Sequence, residues 1–263
     1  KSNFAVYLAK KIKGEIINAD SMQVYKELKI LTARPNIKEQ KNIKHHLYGF
    51  LSIKRKFSTG LWLKFASKKI KEIHKRKKVP ILVGGTGLYF KALINGLVKI
   101  PKISLKKRKV IADLQKKIGQ NNFYKRLIKI DPKIKNIVNS NDIQRSIRAY
   151  EVKIFTKKSL VDWYKDTKPL FTNDDFIKIY IECSRSILLK NIKLRVDKML
   201  VSGGIKEVIK IKNIKVPVKN SSTKIIGINE IKNLLAKKQN KDQTAELMVI
   251  KTRQYAKRQA TWA

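Results

Sequence analysis

The N-terminal part of the chain switches between two periods. Phe4, Ala5, Leu8, Ala9 and Ile12 recur at three- and four-residue steps with basic residues between them, which predicts an amphipathic helix closed by Gly14. The β-leaning run Glu15-Ile16-Ile17 predicts a short strand that ends in a polar cluster, Asn18, Asp20, Ser21 and Gln23. A second unit, VPILVGGTGLYFKALINGL, covers residues 79–97. Val79 to Val83 predicts a buried strand and Gly84-Gly85 a tight turn, while Leu88, Phe90, Leu93, Ile94 and Leu97 predict a helix. An amphipathic helix from about Leu61 to His74 precedes that unit, so the region reads as α/β with a parallel sheet. Ligands gather at the carboxyl ends of strands in such sheets, and Thr86 is expected there beside Asp20.

From roughly Leu105 to Asp166 the pattern is helix after helix without a strand signal. In NDIQRSIRAYEVKIF, Asn141 or Asp142 can cap a helix whose apolar stripe is Ile143, Ile147, Tyr150 and Ile154. Gln144, Arg145 and Arg148 then share its polar face. A strand is expected again at Phe176 to Ile181, with Arg185 just past its end on the rim of Asp20 and Thr86. A helix Ile187 to Val201 carrying Arg195 follows and stops at Ser202-Gly203-Gly204. Residues 205–223 read as a mobile, Lys-rich surface segment. The closing segment, residues 246–262, sets Lys251, Arg253, Lys257 and Arg258 among Tyr255 and Trp262 opposite an apolar side. Basic residues interleaved with aromatics suit RNA with splayed bases, and a plain basic helix would look the same.

Composition narrows this only partly. At 263 residues and 43% hydrophobic, the chain can bury a core in one large domain or one domain carrying an insertion. Its 62 Lys+Arg against 19 Asp+Glu give a net charge of +43, which favours a polyanionic partner, although drift toward AT-rich codons would produce the same lysine excess. One cysteine, Cys183, excludes an intramolecular disulfide, agrees with a reducing cytoplasm and is expected in the core. The longest run without Asp, Glu, Lys, Arg or His, Val79 to Phe90, has twelve residues, too few to span a bilayer. His45-His46 lacks companions at ligand spacing, so no metal site is expected there. Two readings of the polar cluster stay open: a cap for a following helix, or a carboxylate, hydroxyl and amide presented to a ligand. Lys1-Ser2 at the head of a helix that feeds a strand is either a chance pair or the end of a P-loop.

In order along the chain, KS, GEIINADSMQVY with TARP downstream, HHL, VPILVGGTGLYFKALINGL, NDIQRSIRAYEV, SRSILLKNIKLRVDKML and TRQYAKRQATW resemble the bacterial tRNA dimethylallyltransferases, also called tRNA isopentenyltransferases. The resemblance covers nearly the whole chain. It implies an α/β fold, with a P-loop NTPase-like parallel sheet core flanked by helices at 1–104 and 173–263 and an inserted all-helical tRNA-binding domain at 105–172. It implies transfer of a dimethylallyl group from dimethylallyl diphosphate to N6 of the adenosine 3′-adjacent to the anticodon. Mg²⁺ is the implied cofactor, the tRNA anticodon stem-loop the implied partner, a monomer the default state and the cytoplasm the expected location.

Matched residue by residue, the resemblance makes Asp20 the general base, with Thr86 and Arg185 completing the catalytic set. Lys1, Ser2, Arg185 and Arg195 would hold diphosphate, with Ser2 also on the metal. Asp20, Ser21, Met22, Gln23, Thr86, Arg108, Gln144, Arg145, Arg148, Lys224, Arg253, Lys257, Arg258, Gln259 and Trp262 would meet tRNA. The glycine part of the phosphate loop would precede Lys1, so the sequence as it stands is expected to bind diphosphate poorly and to be part of a longer product. Lys224, Ile228 and Asn229 stand where the family usually has arginine and an aromatic, and Glu27 and Leu31 where it often has glycines. Two rival classes are a P-loop nucleotide kinase, which has no use for the Gln144, Arg145 and Arg148 face, and a non-catalytic RNA-binding protein, which leaves Asp20 and Thr86 idle.

Overall fold

A computed structural model describes residues 1–214, 216–217 and 220–262. It divides into two compact units, Lys1–Leu93 together with Asn173–Ala263, and Ile94–Thr172.

In the first unit, helix α1 (Ser2–Lys11) leads into strand β1 (Gly14–Asn18). A short helix α2 (Ile37–Gln40) precedes β2 (His45–His46), and α3 (Thr59–Lys75) precedes β3 (Val79–Val83). The three strands form a parallel sheet in the order β2-β1-β3, with Ile16 opposite His45 and Ile81. The central strand is buried along its whole length, as parallel strands covered on both faces are. Ala5, Val6 and Ala9 of α1 pack on Ile16, so the stripe read from the sequence covers the sheet only through Ala5 and Ala9, while Phe4 and Ile12 are exposed and Val6, outside that stripe, is buried. Ser58 caps α3 through the Leu61 N–H, and the buried Trp62 on that helix donates its indole N–H to the Asn18 carbonyl at 2.8 Å. This bond ties α3 to the carboxyl end of β1.

Helix α4 (Gly87–Asn95) follows the glycine turn. The second unit contains α5 (Leu105–Ile130), broken at Gly119 with φ 75°, then α6 (Ile143–Thr156) and α7 (Leu160–Lys165) around Phe123, Leu127, Ile134 and Tyr150. Its start at Ile94 lies ahead of the Leu105 expected for the inserted domain. The first unit resumes with α8 (Arg185–Val201), α9 (Gly204–Lys212), α10 (Ile228–Leu235) and α11 (Lys241–Ala260). These helices bury Val196, Leu200, Val208, Ile211, Ile231 and Met248 against Val24, Tyr25, Leu28 and Leu31.

Four expectations are corrected. Residues 176–181 form no strand, and Ile177 is 94% exposed. An alternating pattern supplies β propensity but not the neighbouring ladder a strand requires. Cys183 is exposed in the same irregular stretch rather than in the core. The polar cluster after β1 starts no helix, because the Asp20 carboxylate takes the Met22 N–H in a local turn. The segment 205–223 is not simply a loose surface stretch: α9 occupies 204–212 and places Val208 and Ile211 in the core, while Lys215, Val218 and Lys219 lie outside the described residues.

Candidate active site

The site is built where β1 and β3 end. Asn18, fully buried, accepts the Asp20 N–H on Oδ1 at 2.8 Å and donates its amide to the carbonyls of Asp20 and Leu47 at 2.9 and 3.0 Å. The chain is thereby bent so that the Asp20 side chain leaves the sheet edge. On the neighbouring strand, the turn after Val83 folds over this bend. Ala19 N–H reaches the Val83 carbonyl and Thr86 N–H the Ala19 carbonyl. A Cβ on Gly84 would stand 2.1 Å from the Ala19 carbonyl carbon, so only glycine permits this approach.

Thr86 Oγ1 accepts the Ser21 N–H at 3.0 Å and donates to Ser21 Oγ at 3.3 Å. Thr86 thus lies beside the end of the Asp20 strand, as expected, bonded to the residues on either side of Asp20. Gln23 gives its side-chain amide to the Thr32 and Ala33 carbonyls, at 2.9 and 3.1 Å. Helix α11 closes the other side. Gln259 donates to the Gly85 carbonyl at 3.2 Å and accepts from Lys1 Nζ at 3.0 Å. A Cβ on Gly85 would strike Gln259, and one on Gly87 would strike the Trp262 ring. Two glycines of GGTG thus make room for α11, a role no local turn signal discloses.

The electrostatics single out Asp20. Burial raises its pKa above the ordinary 3.8, against the pull of the Met22 and Gln23 N–H groups and of the Arg195 and Lys1 charges. No cation comes within ion-pair distance of it among the described residues. Burial lowers the pKa of Lys1, with Asp20 opposing and Arg195 adding to the effect. Burial likewise lowers that of Arg195, again opposed by Asp20. Three phenols surround the carboxylate. Burial and the Asp20 charge both push Tyr48, Tyr89 and Tyr255 upward, so all three stay protonated at neutral pH. Sequence reasoning placed Tyr255 on a basic face suited to RNA but singled out neither Tyr48, which follows the HHL stretch, nor Tyr89, a buried helix residue stacked on Trp62 at 4.2 Å.

Other candidates stand apart from this group. Arg185 opens α8 and its side chain makes no hydrogen bond or ion pair among the described residues, and the ten-residue step to Arg195 on that helix is about 15 Å. Ser2 begins α1 with an exposed hydroxyl that has no hydrogen-bond partner among the described residues, next to Lys1. Its fit to a cation such as Mg²⁺ is chemical: a free hydroxyl can give one ligand where phosphate oxygens and water give the rest. Among the described residues no group of three or more His, Cys, Asp or Glu could hold a metal, and His46 instead binds Glu15 at 2.7 Å. Lys224 is exposed in a short turn, and Arg253, Lys257 and Arg258 are exposed on α11, with Arg258 over the Tyr255 ring.

In the second unit, Arg108 and Arg148 both grip the buried Glu151, at 3.2 and 3.3 Å. Arg145 pairs with the helix cap Asp142, and Gln144 lines a shallow hollow with Asn139, Asn141 and Asp142. The polar face of α6 is thus partly committed to holding its own unit together.

Residues 23–263 match the family model described as IPP transferase. The chain is 59% identical to the tRNA dimethylallyltransferase of Pelagibacter ubique, spanning all of this chain and 84% of that protein. It is 43% identical to the tRNA dimethylallyltransferase of Rickettsia massiliae, again over its whole length and 72% of the relative. Among solved structures, the tRNA isopentenylpyrophosphate transferase of Bacillus halodurans superposes with a TM-score of 0.69 at 30% identity, covering 100% of this chain and 82% of that one. A eukaryotic dimethylallyltransferase acting on tRNA gives a TM-score of 0.84 at 29% identity over 100% of this chain and 66% of that one.

Proposed function

The chain belongs to the IPP transferase family, and from that premise we propose that it transfers a dimethylallyl group from dimethylallyl diphosphate to N6 of the adenosine 3′-adjacent to the anticodon in tRNA. The observation that carries this reading is the recessed Asp20 carboxylate, unpaired yet within electrostatic reach of Lys1 and Arg195 at the carboxyl end of the sheet. Glu15, Glu151 and Glu230 are each held by cations, whereas Asp20 is held by backbone N–H and stands at the carboxyl end of β1 beside Ser21 and Thr86.

An exocyclic adenine amine is a weak nucleophile because its lone pair is delocalised into the ring. As N6 attacks the allylic carbon, the C–N bond forms, the carbon–oxygen bond to diphosphate breaks, and the bonding pair leaves with diphosphate. The N6 proton passes to Asp20, whose raised pKa brings it closer to the value that suits a general base, an effect worth about 10²–10⁴ in rate. Thr86, held between two Ser21 groups, orients the amine, and Lys1 with Arg195 offsets the charge gathering on the leaving group. The target base must leave its stack to reach Asp20, near which Tyr48, Tyr89 and Tyr255 lie.

Mg²⁺, when bound, would neutralise diphosphate charge, and Ser2 is the residue that would hold it. Gln144 and Arg145 of α6, with Lys257, Arg258 and Trp262 of α11, would meet the anticodon stem-loop as a monomeric enzyme binds it. No helix among the described residues is long and apolar enough to cross a membrane.

The test incubates the full-length gene product with unmodified tRNA, Mg²⁺ and dimethylallyl diphosphate, and weighs the digested nucleosides by mass spectrometry. Prenylated adenosine is expected with the unaltered enzyme and nearly none with Asp20→Asn. Tight tRNA binding without prenylated adenosine would overturn the reading in favour of a non-catalytic RNA binder.

A further inference from the structure

Between Gln23 and Arg34 the chain forms no helix or strand, yet it packs directly behind the Asp20 bend. Buried backbone N–H and C=O groups must find partners, and here side chains supply many of them. Arg34 donates to the Tyr25 and Lys26 carbonyls, Thr32 to the Leu28 carbonyl, and Gln23 to the Thr32 and Ala33 carbonyls. One residue comes from far away in sequence. The Glu207 carboxylate on α9 accepts three consecutive backbone N–H groups, Lys29 at 2.8 Å, Ile30 at 2.7 Å and Leu31 at 3.1 Å.

Three parallel donors converging on one carboxylate fix the orientation of that turn more firmly than a single bond does. The turn in question presents the Thr32 and Ala33 carbonyls to Gln23. Fixing the Gln23 side chain fixes the Met22-Gln23 peptide, whose neighbouring Met22 N–H bonds the Asp20 carboxylate at 2.8 Å while the Gln23 N–H faces the same group. Hydrogen bonds joined through the covalent chain at 29–33 and 22–23 therefore connect α9 to Asp20.

We propose that Glu207 is a positioning residue for the transfer: it latches the 29–33 turn, which holds Gln23, which in turn fixes the direction of the Asp20 carboxylate. This rests on the reading of Asp20 as the base. Glu207 touches no substrate and acts only through Gln23. Loss of the latch loosens the base without removing it, so kcat falls while KM for tRNA changes little.

The test is a double-mutant cycle on the full-length protein, with Glu207→Ala, Gln23→Ala and the pair, assayed by tRNA prenylation. Hydrogen exchange at the amides of Lys29, Ile30 and Leu31 and the thermal midpoint are read in parallel. Glu207→Ala is expected to lower kcat about 10- to 100-fold, as a misdirected catalytic group does, with exchange protection at 29–31 lost. Glu207→Gln, which keeps one acceptor oxygen of the right length, is expected to fall between Glu207→Ala and the unaltered enzyme, and it serves where Glu207→Ala folds poorly. The pair is expected to be no slower than the worse single variant. Multiplied losses, or an unchanged kcat in a variant that has lost protection at 29–31, would overturn the latch. An unaltered enzyme that makes no prenylated adenosine would instead sink the transferase reading itself, so the two failures are told apart.

Discussion

The two ends of β1 treat a carboxylate in opposite ways. Near its start, Glu15 is 1% exposed and is held by Arg76 at 2.7 Å, Lys78 at 3.2 Å and His46 at 2.7 Å. Burial by itself would raise its pKa, but the bonds from His46, Arg76 and Lys78 win and bring it down to about 2. Just past the other end, Asp20 is given backbone N–H groups and distant cations but no ion pair, and burial wins, so its pKa rises. Other buried carboxylates of this chain take cations as well, with Asp131 of the second unit the exception. Glu151 with Arg108 and Arg148, and Glu230 with Lys251, repeat the Glu15 solution. Asp131 also lacks an ion pair among the described residues, so what makes Asp20 the candidate is its place just past the end of β1, where parallel sheets bind ligands.

The comparison breaks most sharply at Asp20. Asp20→Asn should lower kcat for tRNA prenylation by about 10²–10⁴, the usual worth of a general base, while the thermal midpoint at neutral pH holds or rises. The second half follows from sign. A carboxyl whose folded pKa is raised favours folding most below its ordinary 3.8, and that contribution is withdrawn as pH rises through the folded value. Asparagine carries no charge to withdraw it.

Glu15→Ala should do the reverse. It leaves His46, Arg76 and Lys78 facing a vacated buried site, and urea unfolding should show a loss of about 3 kcal/mol. The kcat of the protein that remains folded should stay within a few-fold of the original. A large fall in kcat without a fall in stability would dissolve the distinction between the two ends.

Thr86→Ala strips Ser21 N–H of its acceptor beside Asp20, and kcat/KM should fall about tenfold, whereas Thr86→Ser keeps the acceptor and should nearly restore it. The smallest effect is a change of slope. The Glu15 contribution to stability is complete above its ordinary 4.5 and is lost as pH falls toward about 2. Glu15→Gln should therefore flatten the dependence of the thermal midpoint on pH across that window.

Much of this site could be read before any coordinates. The strand ending at Asn18 and the glycine turn before Thr86 were legible because each is a contiguous run whose period and punctuation are local. Parallel-sheet logic then brought Asp20 and Thr86 together. The stretch from Phe176 to Ile181 failed for the converse reason: its alternation is equally clear, but no neighbouring strand is there to receive it. Glu207 was invisible within a Lys-rich segment, since three N–H donors from residues 29–31 give no signal near position 207. Arg108 and Arg148 looked free because the sequence does not show that Glu151 is buried beneath them.

By itself, then, the sequence determined the α/β class, the family, and the identity of the carboxylate and hydroxyl at the strand ends, because periodicity, turn residues and ordered motifs are properties of contiguous chain. Only the tertiary structure decided which charges are neutralised and which stay free. Burial and partnership depend on residues brought together from Lys1 to Trp262, and a side chain's pKa and orientation are set by those neighbours rather than by its place in the chain.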